Sequence, residues 1–453
     1  MEDIGLSLQE SKDLLQVLQE KIVHAQVNAF VESKRACEHC GKNCRKKGSY
    51  PILFRTLFND LPLDSPRFYT CTCQSQQTQK TFSPLSQLMS EHTAPERLYL
   101  ETKWATVIPF GKTVELLKDV LPMSDTLNAT SVRNHLVKVA EKDEAQLGEE
   151  QYVFIEGCQR DWDELPKPDG TIVVGLDGGY LRLWKEKGTK FEVIAGKSLA
   201  TDRADKCFTF VDTYEPSKPK RRVFKTLKSQ GMQANQAIEF LSDGATNLHE
   251  LQKFISPLSE HYLDWFHITM KITVLHQYLK GLLKVDEESA KQYQEYLEKI
   301  KWYLWHGNVP KALFYLDYLA DAYSLENNYQ HLDGFKKHAA EFVTYIRNNQ
   351  GYITNYGERF RNGEIYTTSF TEATINEVVS RRFCKKQQRQ WTKKGAHAML
   401  QTRAKVLNEE LEECFRQWYP NFRPKQNHLA KGSLIAPRFL MLSYMFLVGL
   451  LRL

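Results

Sequence analysis

The sequence contains no run of about 18 consecutive apolar residues, the minimum expected of a membrane-spanning helix. Its most apolar stretch, residues 439–451, is shorter, and we interpret it as a buried helix or an altered gene end. The first residues, MEDIGLSLQESKDLLQVLQ, are acidic and amphipathic, and they lack the basic segment and apolar core of a secretory signal. These absences predict a cytoplasmic protein, in a prokaryote one associated with the nucleoid, that has no membrane partner.

The chain also lacks internal repeats of about 20 to 50 residues, which excludes a solenoid. It has little excess charge, because the formal net charge is +6 over 453 residues. Hydrophobic residues make up 42% of the chain, so composition excludes a disordered protein. A chain of this length is too long for one ordinary core and predicts several domains.

Five of the nine cysteines crowd into the string CEHCGKNCRKKGSYPILFRTLFNDLPLDSPRFYTCTC, residues 37–73. Disulfides are not expected in a reducing compartment, so this crowding favours a metal. Cys37 and Cys40 form one pair and Cys71 and Cys73 another, on either side of strand-like sequence. This spacing predicts a Cys₄ zinc site of the zinc-ribbon type, with Cys44 as a spare or substitute ligand. Cysteines that are simply buried are the alternative.

Two aspartates follow apolar, strand-like runs. Asp177 lies in VGLDGG, before two glycines that allow a backbone or phosphate to come close, and Asp243 lies in FLSDGATNL, before a helix. A carboxylate at the end of a buried strand needs a cation to satisfy it. Adjacent strands would bring both within reach of one metal, and Mg²⁺ prefers such oxygen ligands. Turn capping by Asp177 and helix capping by Asp243 are the alternatives.

The strings VGLDGG, FLSDGATNL, LDWFHITMKI, TLFNDLPLDSPRFYTCTC and IYTTSFTEATINEVVSRRFCKKQQRQWTKKGAHAMLQTR together resemble the Kra-type insertion-sequence transposases. They resemble the Mutator-like enzymes more distantly, and the resemblance covers nearly the whole chain. It implies an α/β fold with an RNase H-like mixed-sheet catalytic core that carries an Asp, Asp, Glu triad. An all-helical insertion would interrupt this core before the Glu, and a zinc ribbon and a helix-turn-helix would precede it.

Asp177 matches the first Asp of this family and Asp243 the second. The family Glu precedes a Val-Val pair and an Arg at a fixed spacing, which selects Glu372 over Glu377. The family commonly has small residues and glycine before this Glu, whereas this chain has Thr-Ser-Phe-Thr, which puts the local packing in doubt. The triad is expected to hold two Mg²⁺ or Mn²⁺ ions that clamp the scissile phosphate of DNA.

Asp264 and His267 match an Asp-x-x-His element of the family, at the start of the first helix after the core strands. Residues three apart lie on one face of a helix, so a hydrogen bond or a shared contact with DNA or metal is expected. We assign the pair to structure or to DNA positioning rather than to catalysis.

Basic residues cluster in residues 34–47, 218–228 and 381–405. Such clusters bind phosphates, although a solvated face is the usual explanation of a single cluster. In the third cluster we expect Arg382 to contact DNA and Trp391 to stack on an unpaired base. The last helix of the helix-turn-helix is predicted to read the terminal inverted repeats with residues near its start, which are Ser131, Arg133, Asn134 and Lys138.

The resemblance therefore predicts a DNA transposase that binds terminal inverted repeats and target DNA as a homodimer or higher oligomer, and that cleaves and joins strands. A nuclease without strand transfer and a catalytically inactive DNA-binding derivative are the alternatives. The predicted segments are 1–35, an amphipathic helix; 36–90, a zinc ribbon; 91–150, a helix-turn-helix; 165–268, the first part of the core; 269–365, the helical insertion; 366–420, the last part of the core; and 421–453, a tail. Within them we expect a turn at Asn59 and Asp60, three short helices in 95–145 of which the last opens at Asn128, and an interruption of the helical insertion at Gly307 and Pro310.

Overall fold

The computed structural model describes residues 4–74, 81–89, 91–150, 158–166, 168, 170–186, 188–321, 329–384 and 390–424. Among these residues, no helix has both the length and the apolar character needed to cross a bilayer. The chain divides into two compact units, residues 1–411 and residues 412–453. The apolar stretch 439–451, interpreted above as a buried helix or an altered gene end, lies outside the described residues.

A long helix and a small antiparallel sheet form the N-terminal part. The Ser7 hydroxyl accepts from the Glu10 amide and the Glu10 carboxylate accepts from the Ser7 amide, which caps the first helix. The sheet order is β1-β2-β3, and Asn59 opens β2 with a left-handed φ of 93°. The predicted helix and the predicted turn are therefore confirmed. The elements are α1 (Leu8–Ser33), β1 (Lys46–Thr56), β2 (Asn59–Tyr69), β3 (Thr81–Phe82) and α2 (Pro84–Leu88).

Three helices follow, as predicted for this region, and a short fourth one leads to the central sheet. The side chain of Asn128 accepts from the amides of Thr130 and Ser131, so the last of the three begins at the predicted cap. The elements are α3 (Pro95–Val107), α4 (Phe110–Val120), α5 (Ala129–Leu147) and α6 (Gln159–Asp163).

The centre of the molecule is a mixed five-stranded sheet with the order β6-β5-β4-β7-β8. β4, β5 and β6 are antiparallel neighbours, whereas β7 and β8 run parallel to β4. Two helices, α7 and α8, pack on one face over the apolar residues of β4 to β7. The elements are β4 (Ile172–Arg182), β5 (Lys190–Ala200), β6 (Lys206–Val211), α7 (Pro219–Ser229), β7 (Ile238–Ser242), α8 (Thr246–Ile255) and β8 (Glu260–Leu263).

A helical domain with its own hydrophobic core follows β8. Its first helix starts at Trp265, slightly before the predicted boundary. Gly307, with a left-handed φ of 69°, separates two of its helices at the predicted interruption. The helices are α9 (Trp265–Leu282), α10 (Glu287–Trp305), α11 (Val309–Asp321), α12 (Leu332–Asn349) and α13 (Tyr356–Arg361).

The chain then returns to the other face of the central sheet. α14 runs directly into a wider π-helical segment, Asn376–Cys384, and α15 packs beside it. These helices share one hydrophobic core with α3 to α5 and with β4 to β6. The region predicted as a separate helix-turn-helix is therefore built into the core of the sheet. The remaining helices are α14 (Ser369–Ile375), α15 (Lys393–Leu407) and α16 (Leu411–Trp418), and single 3₁₀ turns lie at Thr72–Gln74, Glu215–Ser217 and Gln350–Tyr352.

Buried arginines connect these elements. Arg97, on α3, is 1% exposed and donates to Glu101 at 2.7 Å, to the carboxylate of Asp60 and to the carbonyl of Thr56 at 3.2 Å. The other oxygen of the Glu101 carboxylate lies 2.5 Å from Nδ1 of His135 on α5. This network fixes the β1–β2 hairpin against α3 and α5.

Candidate functional site

Asp177 and Asp243 lie on two neighbouring parallel strands: Asp177 is within β4, and Asp243 directly follows β7. β4 and β7 pair in parallel, and the last paired residues are Gly175 and Leu241. Continuing this register by two residues places Asp177 level with Asp243. Neighbouring strands lie about 4.8 Å apart, so the two carboxyl groups occupy one edge of the sheet.

Burial raises the pKa of Asp177 to about 6, and the negative charges of Asp243 and Asp264 act in the same direction. The positive charge of His267 and a hydrogen bond from the Gly178 amide oppose this rise in pKa. A half-buried centre with several carboxylates favours protonation of one of them. A bound cation is favoured for the same reason, because its positive charge offsets the repulsion between the carboxylates.

Asp264 caps α9 and is completely buried. One of its oxygens accepts from the amides of Phe266 and Thr368 at 3.0 and 2.9 Å, and the other accepts from the Thr368 hydroxyl. The predicted DNA contact of Asp264 is wrong, because its oxygens are engaged inside the protein. Nε2 of His267 lies 3.8 Å from Asp177 and 3.7 Å from Asp264, so the Asp-x-x-His pair reaches the carboxylate centre.

α14 packs across β4 where Gly175 leaves room for it, and Gly179 lies at ordinary contact distance from it. A Cβ atom on Gly175 would lie 1.9 Å from Oγ1 of Thr371, and one on Gly179 would lie 3.8 Å from Ile375. Alternate residues of a strand share one face, so Asp177 lies between these two contacts on the face that α14 covers. The bulky lead-in to Glu372 is thus accommodated by glycine on the strand.

Glu372 directly follows Thr371 on this helix and is half-buried. Glu377 lies more than one helical turn after Glu372 and is exposed. Its carboxylate pairs with Arg381 at 3.6 Å. The backbone carbonyl of Glu377 also accepts from the buried Arg403 at 2.6 Å. Glu372 is therefore the less exposed of the two glutamates.

The helical domain contributes residues that the sequence argument did not identify. Gly244, with a φ of 88°, has no room for a side chain because a Cβ atom would lie 2.2 Å from Oδ1 of Asn349 on α12. Burial and the charges of Asp243 and Asp264 raise the pKa of Tyr345, also on α12. Asn349 and Tyr345 thus border the carboxylate centre, and no local sequence pattern marks them.

Four cysteines form a second candidate site. The sulfur atoms of Cys37, Cys40, Cys71 and Cys73 all lie within 4.8 Å of one another, with Cys37 3.5 Å from Cys73 and Cys40 3.4 Å from Cys71. A tetrahedral zinc ion with four thiolate ligands requires sulfur separations of about 3.8 Å, so the cluster suits zinc. Backbone amides of Cys40 and His39 lower the pKa of Cys37 to about 6, which favours the thiolate ligand.

Cys44 is buried but does not belong to the four-cysteine cluster, and burial raises the pKa of its thiol. Cys44, which the spacing predicted as a spare or substitute ligand, is therefore a buried residue outside the cluster. The other cysteines, Cys158, Cys207, Cys384 and Cys414, are not in disulfide bonds.

We expect the purified protein to contain about one zinc ion per chain, because the four sulfurs converge without rearrangement of the backbone. Elemental analysis of protein purified without chelator measures this ratio. The variant Cys40→Ser should lower the zinc content, whereas Cys44→Ser should leave it unchanged. Folded wild-type protein without zinc would contradict the prediction.

The start of α5 presents polar side chains to solvent. Arg133, Asn134 and Lys138 are exposed, and Ser131 is half-buried in the first turn. The exposed three border a cleft of about 830 Å³. Lys138 also lies 3.4 Å from Glu91. The residues predicted to read DNA thus share one surface of α5.

Two predicted DNA contacts of the third basic cluster are wrong. Arg382 is completely buried, and its Nε donates to the carbonyl of Ala105 at 3.0 Å, at the end of α3. Trp391 is 8% exposed, and its ring packs against Phe383 with 4.7 Å between centroids. Both side chains hold helices together, and neither offers a free surface to DNA.

Side chains of the second basic cluster, residues 218–228, also form hydrogen bonds within the protein. Lys218, Arg221 and Lys225 donate to the carbonyls of Gly148, Leu147 and Gln146 at 2.7, 3.1 and 3.1 Å. These carbonyls end α5, and cations stabilise the end of a helix that carries the negative pole of its dipole. These three side chains were predicted to contact phosphate, but they bind the carbonyls at the end of α5 and anchor that helix.

The two sites differ in chemistry, because the first offers carboxylate oxygens and the second offers the sulfurs of four cysteines that could bind zinc. No protein-family profile and no curated protein sequence matches this chain. The functional interpretation therefore rests on the residues and their geometry.

Proposed function

We propose that this protein is a DNA transposase that cleaves and joins DNA strands with a triad of Asp177, Asp243 and Glu372. The observation that carries the proposal is the alignment of Asp177 with Asp243 at one edge of the sheet, beneath the helix that bears Glu372. A pair of carboxylates on neighbouring strands, with a third acidic residue on a crossing helix, is a ligand set for divalent metal ions. The resemblance to Kra-type transposases agrees with this assignment.

An RNase H-like core is part of the proposal. The mixed sheet, with three antiparallel strands followed by two parallel ones, supports it. The helical domain between Asp243 and Glu372 supports the proposed insertion, because it has a separate hydrophobic core.

The three carboxylates would hold Mg²⁺ or Mn²⁺, and bound ions of this kind activate the attacking hydroxyl and neutralise charge on the phosphate. The chain itself positions these ligands. Gly175 lets α14 approach β4, and Asp264 fixes the start of α14 through Thr368. Nε2 of His267 lies within 4 Å of both Asp177 and Asp264, close enough for an electrostatic contact with either carboxylate. Water attacks the phosphorus at the element end, and the P–O3′ bond there breaks to free the 3′-hydroxyl of that end. This hydroxyl then attacks a phosphorus of the target DNA and forms a new P–O3′ bond, while the P–O3′ bond of the target breaks and its 3′-hydroxyl leaves. Both displacements would use one arrangement of ligands.

The DNA that flanks the gene supplies the substrate for the test. Inverted repeats bracketed by short direct duplications are expected there. A labelled duplex that carries such an end should be cleaved in Mg²⁺ and joined to a second duplex, and it should stay intact without divalent ions. Cleavage without joining would instead identify a nuclease, and binding without cleavage would identify a DNA-binding derivative.

We expect duplex affinity to fall steeply with salt, because phosphate contacts release counterions. About six such contacts correspond to a loss of about 10³-fold between about 50 and 200 mM salt. Arg133→Ala and Lys138→Ala should each lower the slope of log affinity against log salt by about one. Lys291→Ala is the control, because Lys291 lies on α10 and pairs with Glu287 at 2.6 Å. An affinity that does not respond to salt would contradict phosphate binding by α5.

A further inference from the structure

The cleft beside α5 contains an exposed tryptophan that the sequence argument passed over. Trp184 follows β4 and is 52% exposed, whereas the neighbouring Trp391 is 8% exposed. Both line the cleft of about 830 Å³ that also contains Arg133, Asn134 and Lys138. We call this space the α5 cleft. Lys394, at the start of α15, forms part of its wall.

Backbone hydrogen bonds fix the position of Trp184. Its amide donates to the carbonyl of Trp391 at 2.9 Å, and the amide of Trp391 donates to Arg182 at 2.9 Å. The amide of Leu183 donates to Thr189 at 3.0 Å and closes the turn after β4. An indole on an anchored backbone loses little conformational entropy when it stacks on a ligand.

The charge of the cleft favours an anion. Arg133, Lys138 and Lys394 line it, against two carboxylates: Glu141 pairs with Lys394 at 2.8 Å, and Glu91 lies 3.4 Å from Lys138. A planar aromatic surface beside cations and an amide is the combination that binds nucleotides, in which the base stacks and the phosphates meet the cations. The volume is in the range of about 300 to 1,000 Å³ typical of ligand pockets.

We propose that the α5 cleft binds an unpaired nucleobase of the bound DNA, stacked on Trp184, with the adjoining phosphates on Arg133 and Lys138. This proposal rests on the proposed function and specifies it further: the surface that reads duplex DNA also holds a base outside the helix. Trp184 thereby takes the role that the sequence argument gave to Trp391.

The position of the cleft relative to the carboxylate centre is consistent with one DNA molecule on both. β4 carries Asp177 within it and Trp184 beyond its end, seven residues later. At about 3.3 Å per residue this separation is at most about 23 Å, which corresponds to about seven nucleotide steps of B-DNA. α5 and α14 lie on the same face of the sheet.

The test compares single-stranded oligo(dT) with an oligonucleotide of equal length in which abasic tetrahydrofuran sites replace every base. Binding is measured by fluorescence anisotropy with full-length protein and without added Mg²⁺. Trp184→Ala should weaken oligo(dT) binding by about 5- to 100-fold and leave the abasic oligonucleotide unaffected. Trp184→Phe should restore most of the affinity, because a phenyl ring still stacks.

Trp302→Ala is the matched control, because Trp302 is 63% exposed but lies on α10. It should not change either affinity. Arg133→Ala should weaken binding of both oligonucleotides alike, since it removes a phosphate contact.

Equal losses for both oligonucleotides in Trp184→Ala, or no loss in either, would overturn the proposal. A loss confined to Trp302→Ala would also overturn it and would place stacking on the helical domain. In each case wild-type cleavage of an end-bearing duplex would leave the proposed function intact. A wild type that binds neither duplex nor oligonucleotide would overturn both.

Discussion

Asp177→Ala, Asp243→Ala and Glu372→Ala should each lower Mg²⁺-dependent strand cleavage by about 10³-fold or more. Each substitution removes one oxygen ligand of the proposed metal ions. Such a centre acts almost entirely by positioning the scissile phosphate and neutralising its charge. Duplex binding should persist, because the exposed residues of α5 are unchanged. The measurements are single-turnover cleavage of an end-bearing duplex and anisotropy of the same duplex.

Glu377→Ala is the control for the third carboxylate. Glu377 is on the same helical run as Glu372, but it is exposed and pairs with Arg381, so cleavage should continue. An inactive Glu377→Ala together with an active Glu372→Ala would show that the third carboxylate is assigned wrongly.

Asp264→Ala requires a different expectation from the one that its sequence position suggests. The sequence predicts that this variant still cleaves, because Asp264 is not in the triad. In the structure Asp264 is buried and holds the amide and hydroxyl of Thr368, which precedes α14. We expect the variant to lose stability and, through α14, part of its cleavage rate.

Arg97→Ala should lower the free energy of unfolding by about 3 to 5 kcal/mol. The substitution leaves the carboxylates of Asp60 and Glu101 buried without their cation, and a broken buried ion pair has a cost of this size. The expected measurement is a shift of the first urea transition to lower concentration.

The control for this prediction is Arg347→Ala. Arg347 pairs with Asp317 at 2.8 Å, but the two side chains are 55% and 46% exposed. Exposed pairs contribute about 1 kcal/mol or less. If both variants lost the same small amount of unfolding free energy, the buried network around Arg97 would not be what stabilises the β1–β2 hairpin.

The features that could be predicted from the sequence are those with a local cause. The Asn128 cap of α5 is determined by the amides of the next residues, and the four-cysteine cluster follows from two closely spaced pairs. The mixed α/β class follows from strand-like runs that alternate with helical ones. In each case the decisive residues are near neighbours in the chain or repeat a known spacing.

The features that could not be predicted depend on contacts between distant residues. Arg382 is predicted to bind DNA because basic residues surround it, but its guanidinium donates to Ala105, far away in the chain. The basic start of α7 anchors the end of α5 for the same reason. Asn349 reaches Gly244 only because the helical domain folds back over the sheet edge. A cluster of basic residues in the sequence predicts an exposed binding surface only when the packing of that segment is known.

The shared core of α3 to α5 with the central sheet restricts how the specificity of this protein can change over evolution. A reading domain on a flexible linker can be exchanged between enzymes as a unit. Here the exchange of α3 to α5 would disrupt the buried hydrogen bond from Arg382 to Ala105 and the apolar core that these helices share with the sheet. Under the proposed function, recognition of new DNA ends would have to change through point substitutions on the exposed side of α5, at Arg133, Asn134 and Lys138, one position at a time.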